Sequence, residues 1–212
     1  MGRLGLLGIF LVPRKLAEAN LSEHQDHDGR GNLPPRLKTV FPGKALVSVL
    51  ANNYSSLSGL SPTPVSCSEV LIAYYSESKG RSGYWTSTLL ANDRQLGRWA
   101  KKIHLNKEYG EFYWENKGSF HRLVVKQGNK KVFEMSAYKI PLLIKRRFRY
   151  QVRSFWSDEG NFYLSSAQFM RVVNLGLWTQ LRADEYIPAK KFCLYGEVLT
   201  NFEISFSPEE RV

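Results

Sequence analysis

Leu105-Asn106-Lys107-Glu108-Tyr109-Gly110-Glu111-Phe112-Tyr113-Trp114 sets one lysine amid apolar and aromatic neighbours, shortly after a segment with helical spacing. Such a lysine has two readings. In the first it is a solvated amine on the polar face of a strand. In the second it is held in an apolar pocket, where desolvation disfavours the ammonium form, lowers the pKa and leaves a nucleophile for carbonyl carbons. On a strand, residue 108 faces away from residue 107. The charge of Glu108 therefore acts on the amine less than their adjacency suggests.

Upstream, Asn92 or Asp93 can cap a short helix running to about Lys102. Leu96, Trp99, Ala100 and Ile103 fall at helical spacing within it, so Trp99 reads as packing. Gly80 to Gly83 is a turn between strands at Ser68–Ser76 and Tyr84–Leu90. Alternation along the first of these puts Glu69, Leu71, Ala73 and Tyr75 on one face. That carboxylate either ends the strand in water or serves as an acid or base. Further strands are expected at Leu4–Val12 and Lys44–Asn53, with Pro13 opening a helix at Arg14–Leu21. Ser22–Asn32 and Tyr54–Pro64 read as loops. Downstream, Ser119–Lys126 and Lys130–Tyr138 form a hairpin around Gly128-Asn129. Strands follow at Phe148–Trp156, Phe162–Leu164, Gln168–Leu181 and Phe192–Phe206, the last with a possible break. Short strands with frequent turns and little helix predict a mainly β (α+β) chain, closed or sandwiched.

The chain has 212 residues, and its hydrophobic content of 43% suffices to bury a core, so one domain spanning 1–212 is expected. The net charge of +11 favours anionic partners such as a carboxylate substrate. Lys145-Arg146-Arg147-Phe148-Arg149 is the densest basic cluster. It matches no nucleic-acid motif and reads as a solvated strand edge, so no nucleic-acid partner is expected. His24 and His27 lie in a polar loop with no third ligand, so no metal is expected either. Cys67 and Cys193 are too few for a disulfide framework and read as reduced. No stretch is long and apolar enough to span a bilayer. Leu4 to Val12 follows Arg3 like the start of a secretion signal, but Pro13-Arg14-Lys15 interrupts it. The expected location is cytoplasmic, with no membrane partner.

In order and spacing, these features resemble the acetoacetate decarboxylase superfamily over nearly the whole chain. Leu105 to Trp114 is similar to the family's Leu-Pro-Lys-(Lys/Arg/Glu)-Leu-Gly-x-Phe-x-Trp segment. Gly97-Arg98 sits upstream like its Gly-Arg-Glu, and Cys67-Ser68-Glu69-Val70-Leu71-Ile72 is similar to its Tyr-x-Glu-Leu-Leu-Val strand. Ser55 to Gly59, Gly83-Tyr84-Trp85, Leu33-Pro34-Pro35 and Tyr195-Gly196-Glu197-Val198 also fall in family order. The departures are Glu108 where many members carry a second lysine, Asn106 for proline, and Trp99 for the glutamate of Gly-Arg-Glu. No second active-site glutamate stands near Leu50.

The resemblance implies a closed, cone-shaped antiparallel β-barrel with a few short helices. It implies that Lys107 forms a Schiff base with a keto acid and that Glu69 lies in the same cavity. Arg98, Arg3, Tyr84 and Tyr109 are the candidate substrate contacts, Arg98 being equally a structural ion-pair residue. An iminium on Lys107 withdraws electrons from the neighbouring carbon. Decarboxylation, aldol reaction, dehydration, isomerisation or cyclisation can follow, and the lysine needs no cofactor. The expected partner is a small carbonyl or carboxylate compound, with homo-oligomers possible. The alternative is a non-catalytic ligand-binding barrel that has lost the decarboxylase residues.

Overall fold

The computed structural model describes residues 2–25, 36–57, 65–78, 80–93, 107–141, 147–158, 161–172, 174–206 and 210–211. Past its expected cap at Asn92 or Asp93, the helix expected to run to about Lys102, with Arg98 and Trp99, lies outside these, as do Lys145, Arg146 and the His27 loop. The first half comprises β1 (Gly2–Pro13), α1 (Arg14–Gln25), β2 (Arg36–Leu37), β3 (Lys44–Leu57), β4 (Val65–Ser78) and β5 (Arg81–Ala91). Then come β6 (Lys107–Tyr109), β7 (Glu111–Lys117), β8 (Phe120–Gln127) and β9 (Lys130–Pro141). The last strands are β10 (Arg147–Asp158), β11 (Asn161–Val172), β12 (Asn174–Arg182), β13 (Phe192–Phe206) and β14 (Glu210–Arg211).

Pro13 ends β1 and leads into α1, where its missing N–H costs nothing. Ala17 and Leu21, one helical turn apart, turn into the main core, and Arg14 pairs with Glu18 outside. The helix runs four residues past Leu21 into the stretch expected to be loop. β3 likewise continues through Leu57, and its Tyr54 is buried against Phe202. The segment read as one strand at Gln168–Leu181 belongs to two, β11 and β12, with different partners.

The described strands join one sheet whose main path is β14-β11-β10-β5-β4-β3-β1-β13-β12-β9-β8-β7, with β2 beside β4 and β6 beside β5 off that path. The pairings are antiparallel except at β5, which pairs in parallel with β10 at Tyr84–Trp85 and with β6 at Leu89–Ala91. β13 performs the closure. Up to Phe202 it lies beside β1; from Glu203 to Phe206 it lies beside β11. Asn201 stands at the change of partner with φ 48°, a left-handed conformation that asparagine tolerates. This is the break expected in the last strand. Because β11 also pairs β10, the strands β13, β1, β3, β4, β5, β10 and β11 form a closed ring. The expected mainly β barrel is present, with mixed pairing at β5 and one helix among the described residues.

The two sheet faces carry different content. On β4, Val70, Ile72 and Tyr74 are fully buried and pack with Leu6, Phe10, Val49, Leu123, Phe133 and Met135. The opposite face carries a smaller cluster of Tyr54, Cys67, Ala91, Leu199 and Phe202, and with it Glu69. Cys67 and Cys193 are both thiols, the first buried and the second partly so. No helix among the described residues is long and apolar enough to cross a membrane.

At Gly110 the chain leaves the β5 ladder, where the Gly110 N–H donates to the Ala91 carbonyl, and enters β7 beside β8. A Cβ here would stand 2.4 Å from Cγ1 of the buried Val125. Val125 is stiff at χ1, so Gly110→Ala is expected to lower stability by about 1–3 kcal/mol, read as a lower urea midpoint at constant slope. His121 is buried, with Nδ1 bonded to Asn116 Oδ1 at 2.9 Å and Nε2 unpartnered. Burial, then the charge of Lys139, push its pKa down from the usual histidine value. The unfolded chain therefore takes the proton first on acidification. This contribution to stability is whole above the unfolded pKa, about 6.5, and is lost as pH falls through and below it. Urea midpoints measured at pH 7.5 and 5.5 are expected to fall less for His121→Gln than for the wild type.

Candidate active site

Alternation along β4 sends Glu69 to the side of the small cluster, and pairing then selects its neighbours. Asn52 of β3 is its cross-strand partner on one side and Ala91 of β5 on the other. The row continues from Asn52 to Gly5 and Leu199, and from Ala91 to Tyr109. Asn52 is fully buried and Glu69 nearly so. Nothing about this location favours a carboxylate unless its neighbours supply donors.

They do. The Tyr54 hydroxyl donates to Glu69 Oε1 at 2.7 Å. Asn52 Nδ2 donates to the Tyr54 oxygen at 2.7 Å and reaches Glu69 Oε1 at 3.4 Å. Two residues on one strand thus line up behind a carboxylate on the next. Burial, followed by the charge of Glu69, pushes the Tyr54 phenol well above its usual pKa, so it remains a donor. Asn52 Oδ1 is buried without a hydrogen-bond partner, at a cost of about 1–3 kcal/mol. Such a cost is tolerated mostly where a polar group has work to do. Ser68, beside Glu69, accepts from Trp114 Nε1 at 3.2 Å, and its N–H donates to Asn92 Oδ1 at 2.8 Å. Asn92 thereby extends the β4–β5 pairing.

Lys107 opens β6, its backbone paired to Leu89, and its side chain lies outside the described residues. Leu89 pairs with Leu71, Leu71 with Leu50, Leu50 with Leu7 and Leu7 with Glu197. Position 107 is therefore in the row next to that of Glu69, on the same sheet face. Glu108 occupies the other face: its Oε2 accepts from Gln127 Nε2 and from the Tyr186 hydroxyl, both at 2.7 Å.

The other expected contacts separate. Tyr109 is in the row of Glu69, two strands away, and is half exposed. Arg3 is exposed, at an irregularity where β1 changes register against β3. Tyr84 packs on Tyr75 at 5.3 Å, with its phenol pKa raised by burial. It lies seven residues along β5 from Ala91, roughly 20 Å at strand spacing, and so away from Glu69. Three polar residues on this face were not singled out as site residues: Asn52, Tyr54 and Glu197. Glu197 is fully buried and accepts from the Tyr195 hydroxyl at 2.8 Å. Their signal is alternation: Leu50, Asn52 and Tyr54 share one face of β3, as do Tyr195, Glu197 and Leu199 on β13. Among the described residues no group of three or more His, Cys, Asp or Glu is arranged to hold a metal.

No family model matches the chain, and no curated protein matches it by sequence. Solved structures do match. One is acetoacetate decarboxylase from Legionella pneumophila subsp. pneumophila str. Philadelphia 1, at TM-score 0.63 and 9% identity, over 100% of this chain and 85% of that one. Another is an acetoacetate decarboxylase-like enzyme from Sphingomonas wittichii RW1, at TM-score 0.57 and 12% identity, over 100% and 93%. A third is the enduracididine biosynthesis enzyme MppR complexed with pyruvate, at TM-score 0.51 and 15% identity, over 95% and 89%. At such identities the likeness is one of fold, and there it agrees with the resemblance read from the sequence: the chain has the acetoacetate decarboxylase-like fold.

Proposed function

We propose that this chain is a small-molecule enzyme that uses the Lys107 amine on a keto acid or related ketone, with Glu69 as general acid or base. The observation that carries the reading is the buried Glu69, supplied with donors by Tyr54 and Asn52 and sharing a sheet face with position 107. A carboxylate buried and furnished in this way is a candidate for proton transfer. The fold is that of enzymes named for decarboxylation and, in the case of MppR, complexed with a keto acid.

The neutral amine attacks the ketone carbon, and the carbinolamine loses water to give an iminium. With a β-keto acid, the bond to the carboxylate breaks and its electrons flow into the iminium as carbon dioxide leaves. The resulting enamine takes a proton on carbon, and water releases the ketone and the free lysine. Glu69 serves the proton steps. Without a β-carboxylate, loss of a proton gives the same enamine, which can add to a second carbonyl or eliminate a leaving group. Arg98 is a candidate carboxylate contact within this reading; Arg3 and Tyr84 are weaker ones, given their placement.

The second reading is a ligand-binding barrel without catalysis. It draws on Glu108, which stands where a second lysine stands in many members of the resembled family and is bound on the far face by Gln127 and Tyr186. It also draws on a neutral amide, Asn52, opposite Glu69.

Incubation with pyruvate, acetoacetate and 2-oxobutyrate, reduction by borohydride and peptide mapping are expected to find the adduct on Lys107. No label there across the panel would overturn the Schiff-base reading in favour of the binding one. Lys107→Ala is expected to abolish labelling and turnover while keeping the thermal midpoint; an unfolded variant would mark the lysine as structural. Glu69→Gln is expected to lower kcat about 10²- to 10⁴-fold with less change in KM, and an unchanged kcat would remove Glu69 from the reaction.

A further inference from the structure

We propose that Tyr54, with Asn52 behind it, is a positioning residue that holds Glu69 as a carboxylate with its Oε1 already engaged. The inference rests on the reading of Glu69 as the acid or base.

The direction of the hydrogen bonds follows from the atoms involved. A phenol has one proton. Asn52 Nδ2 has no option but to donate, and it donates to the phenol oxygen at 2.7 Å. The phenol proton is then directed to Glu69 Oε1, also at 2.7 Å. Rotating the amide by half a turn would set Asn52 Oδ1 against an oxygen whose proton is already committed. The observed orientation therefore suits an ionised Glu69, although it leaves Oδ1 buried and unpartnered beside Gly5, where an added Cβ would stand 2.9 Å from it. An N–H feeding an O–H that feeds a carboxylate is a chain in which each bond polarises the next.

The aromatic ring is fixed as firmly as the hydroxyl. Tyr54 packs edge-on against Phe202 at 6.0 Å, and directly across the ladder stands Cys67, a residue small enough to leave it room. Other titratable positions lie on this sheet face. Cys67 is on the same strand, Tyr109 is at the β6 position in the same row, Lys107 is at the β6 position in the adjacent row, and Glu197 is three strands away on β13. Tyr54 and Asn52 both donate toward the Glu69 carboxylate. A hydrogen bond to the charged form favours it, so together they hold Glu69 in one protonation state and one orientation before any ligand arrives.

The test is Tyr54→Phe in the full chain, which keeps the ring and its contact with Phe202 and removes only the hydroxyl. Carboxyl-carbon NMR of 13C-glutamate-labelled protein, with the Glu69 signal assigned by its absence in Glu69→Gln, is expected to show Glu69 titrating about one pH unit higher in the variant. Replacing Tyr54 with 3,5-difluorotyrosine, a stronger donor of the same shape, is expected to shift the titration the other way. If turnover is found, the acid limb of kcat/KM is expected to follow both shifts, while KM at the plateau changes less than about threefold, since Tyr54 is assigned no contact with substrate. A Glu69 titration unmoved by either change, in folded protein, would overturn the proposal. So would equal loss in both variants with no shift of the limb. The NMR titration needs no activity, so failure to label Lys107 would sink the catalytic reading while leaving this one to be decided separately.

Discussion

A carboxylate placed mid-ladder on a buried sheet face must receive hydrogen bonds or give up its charge. Glu69 meets that condition through the strand beside it, and much of the local structure follows. Asn52 has to be its cross-strand partner, Tyr54 has to extend the same strand by one more pleat, and the position across from Tyr54 has to be small. Cys67 fills that last requirement. Slipping β3 by one residue against β4 would turn Asn52 and Tyr54 into the main core and carry Ala51 to Glu69. It would lose the packing of Val47, Val49 and Ala51 on the other face at the same time. The apolar core thus fixes the register, and the register delivers the polar pair.

The two faces of the sheet depend on each other in the same way further along the chain. β13 first lies beside β1 and then, past the left-handed Asn201, beside β11. Its first part buries Val198 in the large core while presenting Glu197 and Leu199 to the opposite face. At Gly196 the neighbouring β12 approaches so closely that a Cβ would meet Thr179 Oγ1 at 1.9 Å. A buried glutamate with a tyrosine donor therefore lies on a strand held tightly from behind. Among the described residues, both buried carboxylates on this face carry a tyrosine hydroxyl, Tyr54 on Glu69 and Tyr195 on Glu197. One tyrosine comes from the adjacent strand and the other from the same strand.

What the sequence made legible was what local pattern determines. The alternation around Glu69, the Gly128-Asn129 hairpin and the strand at Lys107 all depend on a few adjacent residues, and all are present. The pattern of short strands and turns gave a mainly β chain, closed or sandwiched, and the resemblance chose the closed barrel, which no local pattern specifies. Tyr54 was lost because the Ser, Gly and Pro that follow it have the composition of a loop. It stays in a strand through contact with Phe202, far away in the chain. Glu197 was hidden in an apolar run, where a single polar residue looks like a strand edge until β12 and β1 flank it on both sides. The division at Gly110 depends on the nearness of Val125, which only the packed sheet supplies.

Glu108 shows how adjacency in sequence and adjacency in space part company on a strand of three residues. In the sequence it is the closest charge to Lys107, and it would oppose the loss of a proton from the ammonium. In the structure it follows Leu90 to the far side of the sheet, where Gln127 and Tyr186 bind its Oε2. The Tyr186 phenol is pushed up, first by burial and then by that carboxylate, so it stays a donor. With the Gly110 N–H on the Ala91 carbonyl, these bonds tie both the middle and the end of β6 to the body of the sheet. A short strand at the end of a ladder has little backbone pairing to hold it in place. The carboxylate that looks in the sequence like an electrostatic liability beside Lys107 is, in three dimensions, one of the fastenings of the strand that carries it.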